Sequence, residues 1–218
     1  MRPLRSLDSN RFVPGPEPAQ PRSLTIVIPA LNEEEAIGDT IQKCLDARGW
    51  IQRETPVSDV EIIVVSDGST DRTAEIAQSF KDVKVIVHFS NLGYGAAIKS
   101  GFAEARGDLL AFLDADGTCD PRLFVNLCRA CLEKSADVVV GSRINDESRM
   151  PLLRRLGNAF FARLVSWLAG TRITDTASGM RVLRREALKK LLPLPTGLHF
   201  TPAMTCRALT QKLSLIHI

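Results

Sequence analysis

No apolar run in the 218-residue sequence reaches the roughly 18 residues of a membrane span, which excludes a transmembrane-only chain. The 14 glycines and 12 prolines follow no period, so a collagen-like chain is excluded, and a hydrophobic content of 44% excludes wholesale disorder. Neither sign of charge is in large excess. Against 28 Lys and Arg stand 25 Asp and Glu, and the resulting +3 is too small to suggest nucleic acid without a clustered basic face. Cysteine is sparse and unpatterned: five residues at 44, 119, 128, 131 and 206 give no disulfide framework. Nothing near the N-terminus resembles a secretory apolar core, so the expected compartment is a reducing one, the cytoplasm.

What is present fits one globular domain. Residues 1–22 hold five prolines, four arginines and few large apolar groups, and are expected to be a disordered tail; residues 23–218 are expected to form the domain. From Ser23 onward, short β-branched runs alternate with helical patterns. The strands are expected at 24–28, 60–65, 83–88, 109–113 and 136–140, and the helices at about 33–48, 71–80, 94–106 and 121–134. Continuously apolar strands in βαβ order predict an α/β fold whose mostly parallel central sheet is covered on both faces. Asn32 ahead of three glutamates, and Ser69 or Thr70 ahead of Asp71, read as helix N-caps.

In such a sheet, ligands bind outside the carboxyl ends of the strands. Three of these positions are polar: Pro29-Ala30-Leu31-Asn32-Glu33, Asp67-Gly68-Ser69-Thr70-Asp71 and Asp114-Ala115-Asp116-Gly117. Asp114 and Asp116, two apart on extended chain, point to one side, and their repulsion invites a hard divalent cation, Mg2+ or Mn2+, with diphosphate oxygens. For an isolated Asp-x-Asp, a solvated turn with Asp as helix cap is the commoner account. Asp67 offers an acceptor to a base or ribose, or caps a turn. Gly93 and Gly95 allow close backbone approach, whether to a ligand or within a tight helix entry. Arg143, after the run Val138–Val140, is a candidate for bridging phosphates in bidentate fashion, with a surface ion pair as the alternative.

The order Val27-Ile28-Pro29-Ala30-Leu31-Asn32-Glu33-Glu34, Val64-Val65-Ser66-Asp67-Gly68-Ser69-Thr70-Asp71, Asn91-Leu92-Gly93-Tyr94-Gly95, Asp114-Ala115-Asp116 and Gly141-Ser142-Arg143 resembles family 2 glycosyltransferases. Within that family it is similar to the dolichol- or polyprenyl-phosphate mannosyl- and glucosyltransferases. The resemblance runs from about residue 23 to 192. It implies a GT-A, Rossmann-like nucleotide-sugar fold, with Pro29, Leu31, Glu33, Val65 and Asp67 around the nucleotide. It further implies that Asp114, Ala115 and Asp116 meet the metal and the donor diphosphate, and that Asp116 and Arg143 are catalytic. Asp175-Thr176-Ala177-Ser178-Gly179-Met180-Arg181 resembles the family's acceptor-side segment, which makes Arg143, Asp175 and Ser178 acceptor-binding candidates. Two positions depart from the pattern: Thr118 where relatives often carry Gln, and Leu31 where an aromatic is common.

The implied reaction is inverting transfer of a hexose from GDP-mannose or UDP-glucose to a polyprenyl phosphate, at the cytoplasmic face of a membrane. Transfer to a saccharide hydroxyl, a nucleotide-sugar-binding fragment without turnover, and a sugar nucleotidyltransferase are the alternatives. The last is disfavoured, since no glycine- and arginine-rich loop follows the first strand. A stripe from Pro151 to Gly170 flanked by arginines suits either a membrane headgroup region or a core face. Cys128 and Cys131 read as packing residues. His88 and His199 lack, in sequence, the Ser or Cys partner of a nucleophilic triad. Residues 211–218 stop where a further element is expected, so the chain reads as truncated at its C-terminus.

Overall fold

A computed structural model describes residues 22–141 and 178–218. Four strands begin the sheet, β1 (Arg22–Ala30), β2 (Val57–Asp67), β3 (Lys84–His88) and β4 (Leu109–Leu113), with α1 (Ile37–Glu54), α2 (Thr73–Gln78) and α3 (Tyr94–Glu104) between them. A 3-10 turn at Pro121–Leu123 leads into α4 (Phe124–Glu133), followed by β5 (Val138–Val140). After the second described stretch begins come β6 (Met180–Arg184), α5 (Arg185–Leu191), α6 (Phe200–Thr210) and β7 (Leu215–His217).

The sheet order is β3-β2-β1-β4-β6-β5-β7. The pairs β1/β2, β1/β4, β2/β3 and β5/β7 are parallel, while β6 runs antiparallel to both β4 and β5. Alternation along the strands feeds two cores. Leu24, Ile26 and Ile28 pack with Ile37 and Ile41 of α1 and Phe124 of α4, whereas Val27, Ile63 and Val65 pack with Ile98 and Phe102 of α3 and Phe200 and Met204 of α6. Each such side chain contributes about 1.5–3 kcal/mol by leaving water. Covering both faces in this way requires strands with no polar face, which is the continuous apolar pattern of the sequence.

The expected strands and helices are present, with shifts at their ends. The caps differ. Asn32 does not cap α1, which starts at Ile37; it takes a left-handed φ of 54°, a conformation Asn tolerates, and its Oδ1 accepts from the Thr70 amide at 2.8 Å. Likewise Asp71, rather than Ser69 or Thr70, accepts from the Thr73 amide at the start of α2.

No sequence pattern announced β6, α5, α6 or β7. Strand β6 carries arginines, and polar residues at the ends of a short run hide it. Arg181 is fully buried, with its guanidinium on Thr205 Oγ1 at 2.9 Å. Arg184 reaches the Cys131 carbonyl at 2.7 Å and Arg185 the Ala105 carbonyl at 2.9 Å, satisfying acceptors near the ends of α4 and α3. Cys128 and Cys131 are buried packing residues, as read from the sequence, and Cys44 is buried as well. Among the described residues, no helix is long and apolar enough to cross a membrane.

Candidate functional site

Because β1 and β2 are adjacent and parallel, the loops leaving them meet, and hydrogen bonds lace them together. The Asn32 amide donates to Ser69 Oγ (3.1 Å), the Glu33 amide to Thr73 Oγ1 (2.8 Å) and the Glu34 amide to Asp71 Oδ2 (3.1 Å). The Arg72 amide returns a bond to Glu34 Oε2 at 3.1 Å. The result is one pre-set rim rather than two independent loops.

That rim borders a cleft of about 570 Å³ at the carboxyl edge of the sheet. Pro29, Leu31 and Glu33 enter it from the loop after β1, Asp67 from the end of β2, and Asp114, Ala115 and Asp116 from the end of β4. The opposite wall comes from Gly197, Leu198, Thr201 and Pro202, at the entry to α6. The acidic residues singled out in the sequence therefore share one cavity. Their charges act on one another: burial, then the nearby Asp116, Asp114 and Asp71 carboxylates, hold the Glu33 carboxyl above its ordinary value.

Asp114 is half-buried, and its Oδ1 accepts from the Tyr94 hydroxyl at 2.7 Å. Behind it lies Gly179, whose carbonyl accepts the Asp114 amide at 3.2 Å. Asp116 is exposed, and its Oδ1 accepts both the amide and the hydroxyl of Thr118, at 3.0 and 2.7 Å. Thr118 thus orients Asp116. Thr40 fixes the residue between, donating to the Ala115 carbonyl at 3.0 Å.

Asp67 is only 3% exposed, and its carboxylate is heavily used. Oδ1 accepts from the Leu92 amide at 3.0 Å and faces His88 Nδ1 at 2.6 Å; Oδ2 accepts from the Gly93 amide at 2.8 Å. The far nitrogen of His88 lies 2.9 Å from Ser100 Oγ. His88 therefore does have a serine partner in space, contrary to the reading from sequence. Neither His88 nor Ser100 lines the cleft, so the arrangement is a support for Asp67 rather than a nucleophilic triad.

Two expectations are corrected. Val65 does not line the cleft; it is fully buried in the apolar cluster with Ile63 and Ile98, where the strand alternation directs it. Ser178 is fully buried, donates to the Gly141 carbonyl and accepts from the Met180 amide at 3.2 Å, so its hydroxyl is spent on backbone and is not offered to an acceptor. Of the two readings left open for Gly93 and Gly95, the Pro195–Thr196 backbone packed against them favours the tight helix entry, while Gly93 also borders the cleft. Arg143, Asp175 and the stripe 151–170 lie outside the described residues.

Tyr94, Gly179 and the His88–Ser100 pair were missed. Tyr94 is the sole tyrosine and opens a helix after a glycine, which was a usable signal. The other two depend on contacts between residues 65 or 12 apart and left none. Among the described residues, no group of three or more His, Cys, Asp or Glu side chains is placed to hold a metal.

A family model for glycosyl transferase family 2 matches residues 25–192. A low-salt glycan biosynthesis hexosyltransferase of Haloferax volcanii is 32% identical over 88% of this chain and 46% of its own length. A dolichyl-phosphate hexose transferase of the same organism is 35% identical over 76% of this chain and 68% of its own. For a dolichyl-phosphate beta-glucosyltransferase of Drosophila melanogaster the figures are 31%, 85% and 61%. The chain thus spans about half to two thirds of the length of these relatives. Among solved structures, glucosyl-3-phosphoglycerate synthase from Mycobacterium tuberculosis, crystallised with Mn2+, uridine diphosphate and phosphoglyceric acid, has a TM-score of 0.68 at 23% identity. The match covers 90% of this chain and 68% of that one, and it shows that the fold is the GT-A glycosyltransferase fold.

Proposed function

The chain belongs to glycosyl transferase family 2, and from that premise we propose that it moves a hexose from a nucleoside diphosphate sugar to the phosphate of a polyprenyl lipid. The convergence of Glu33, Asp67, Asp114 and Asp116 in one cleft carries this reading. A phosphate monoester, with a second pKa near 6, is largely ionised at neutral pH and needs no protein base. Its oxygen attacks the anomeric carbon while the bond to the donor diphosphate breaks, the electron pair leaving with the diphosphate and the configuration inverting. The chain's task is alignment and charge.

The donor set suits a hard divalent ion: two carboxylates, each with one oxygen already held by a neighbouring hydroxyl, in a cleft where burial, and then the neighbouring carboxylates, raise the proton affinity of Glu33. Asp114 and Asp116 would hold Mg2+ or Mn2+, and the bound ion would offset charge on the leaving diphosphate. The Mn2+ crystallised with the mycobacterial structural neighbour supports the choice of metal class.

The base is read as uracil. Three of Asp67's acceptor positions are already used by His88, Leu92 and Gly93, which leaves one. Uracil presents a single imide N–H to such an acceptor, whereas guanine presents two adjacent donors. On the acceptor side, the exposed Leu198 at the cleft, 82% accessible, suits a lipid phosphate delivered from a membrane surface. Arg143 and Asp175 are the candidates for meeting that phosphate and sugar, and the proposed location is the cytoplasmic face of a membrane. Incubation with radiolabelled UDP-glucose, Mn2+ and polyprenyl phosphate tests the reading. A butanol-extractable labelled lipid is expected. Label remaining wholly in the aqueous phase with every donor, GDP-mannose included, would refute it.

A further inference from the structure

One buried imidazole takes no part in this chemistry. His88 closes β3 in register with Asp67, which closes β2, and Ser100 reaches His88 from α3. The side chains of His88 and Asp67 are 9% and 4% exposed. An ionised carboxylate only accepts, so His88 Nδ1 carries the hydrogen that points at Asp67 Oδ1, and in the neutral ring Nε2 then accepts the Ser100 hydroxyl hydrogen. Each of the three groups is thereby given one orientation.

We propose that His88, backed by Ser100, is a positioning residue for the donor nucleotide, acting through Asp67. The inference rests on the reading of Asp67 as the base-binding acceptor. A carboxylate in this place rotates unless both its oxygens are fixed. His88 and the Leu92 amide fix Oδ1, and the Gly93 amide takes one side of Oδ2, so the remaining acceptor is held towards the cleft. The same bonds anchor the segment that opens α3, where the next residue, Tyr94, donates to Asp114. Order at His88 is thus passed to the base pocket directly, and to the diphosphate end through the adjoining residue, Tyr94. The role is one of geometry: neither His88 nor Ser100 touches the cleft.

The test uses the full chain and three variants, with UDP as the calorimetric probe in the presence of Mn2+. His88→Leu removes the donor to Asp67; UDP Kd and donor KM are expected to rise about tenfold, with kcat at saturating donor and the acceptor KM within about threefold of the parent. His88→Asn keeps an N–H near the place of Nδ1 and is expected to restore most of the affinity, while Ser100→Ala falls between. A merely structural role predicts a different pattern: parallel losses in kcat and in both KM values, with Asn no better than Leu. That pattern would overturn the inference. So would unchanged UDP affinity in His88→Leu, which would leave the functional reading standing. If the unaltered chain binds neither UDP nor GDP, the functional reading fails and takes the positioning role with it. Nitrogen chemical shifts of the His88 ring in the unaltered, nucleotide-free chain give an independent check. The Nδ1–H tautomer is expected, and an Nε2–H tautomer would contradict the proposed bond whatever the variants do.

Discussion

Gly179 stands where the Asp114 carboxylate needs space: a Cβ built on Gly179 would overlap all three terminal atoms of the Asp114 side chain. Strand β6 brings Gly179 to the end of β4, and the Asp114 amide bonds to the Gly179 carbonyl. The small residue just before β6 thereby sets the position of the acid just after β4.

Gly179→Ala should therefore act as an active-site mutation made from behind. The added methyl cannot be absorbed by rotating Asp114 without breaking its bond to Tyr94. A displacement of about 1 Å in a catalytic group costs on the order of 100-fold in rate. The expected outcome is such a fall in kcat with a circular dichroism spectrum unchanged from the parent; activity within threefold of the parent would refute the dependence.

Asp116→Asn isolates charge from shape. Asparagine can still accept the two Thr118 bonds at Oδ1, so the turn should survive and the melting temperature should stay within a few degrees. Turnover should drop by about 100-fold or more, and Mn2+ binding measured calorimetrically should weaken in parallel. Full Mn2+ affinity in this variant would remove Asp116 from the metal site.

Glu33 gives a signed pH effect. Its folded value lies above the ordinary 4.5, so the folded chain holds the proton longer than the unfolded chain does. Stability from this group is present below about 4.5 and is lost as pH rises through the raised folded value. With chelator present, Glu33→Gln should melt higher than the parent at pH 7, and the gap should close on acidification below 4.5. Melting curves across that range decide it, since a gap independent of pH would mean that the raised Glu33 value, set by burial and then by the neighbouring carboxylates, is not the cause.

The thiols should divide by depth. Burial pushes the Cys44 thiol up to about 12 and Cys131 up to about 11, and burial also raises Cys128. Cys119 and Cys206 are only half-buried. A thiol reagent added to the folded chain should modify Cys119 and Cys206 quickly and the other three only on unfolding, a division that peptide mapping reads directly.

The donor half of the molecule was legible because its signals are local. Apolar runs such as Leu109–Leu113 mark the strands, and each acid of the cleft sits within four residues of a strand end, where parallel sheets bind ligands. The C-terminal elements were less so. Strand β6 enters antiparallel between β4 and β5, a placement that no neighbouring sequence encodes, and its buried Arg181 reads as a surface residue until Thr205 is brought to it. Ser178 looked available because a serine's partner is invisible in a sequence; here it is a carbonyl 37 residues away. Asn32 misled for the same reason, since its oxygen crosses to Thr70 instead of turning back on its own helix.

Gly141 and the residues at the start of β6 also form a seam. The Gly141 amide bonds to the Met180 carbonyl at 2.9 Å and the Gly141 carbonyl accepts from Ser178, so the chain leaves the sheet and returns to it at one stitched point. That stitch, together with the pairing of Val140 with Arg181, fixes the register of β5 against β6 at this end. If residues 142–177 carry the acceptor contacts proposed above, a chimaera cut at 141 and 178 is expected to take its recipient from the inserted piece.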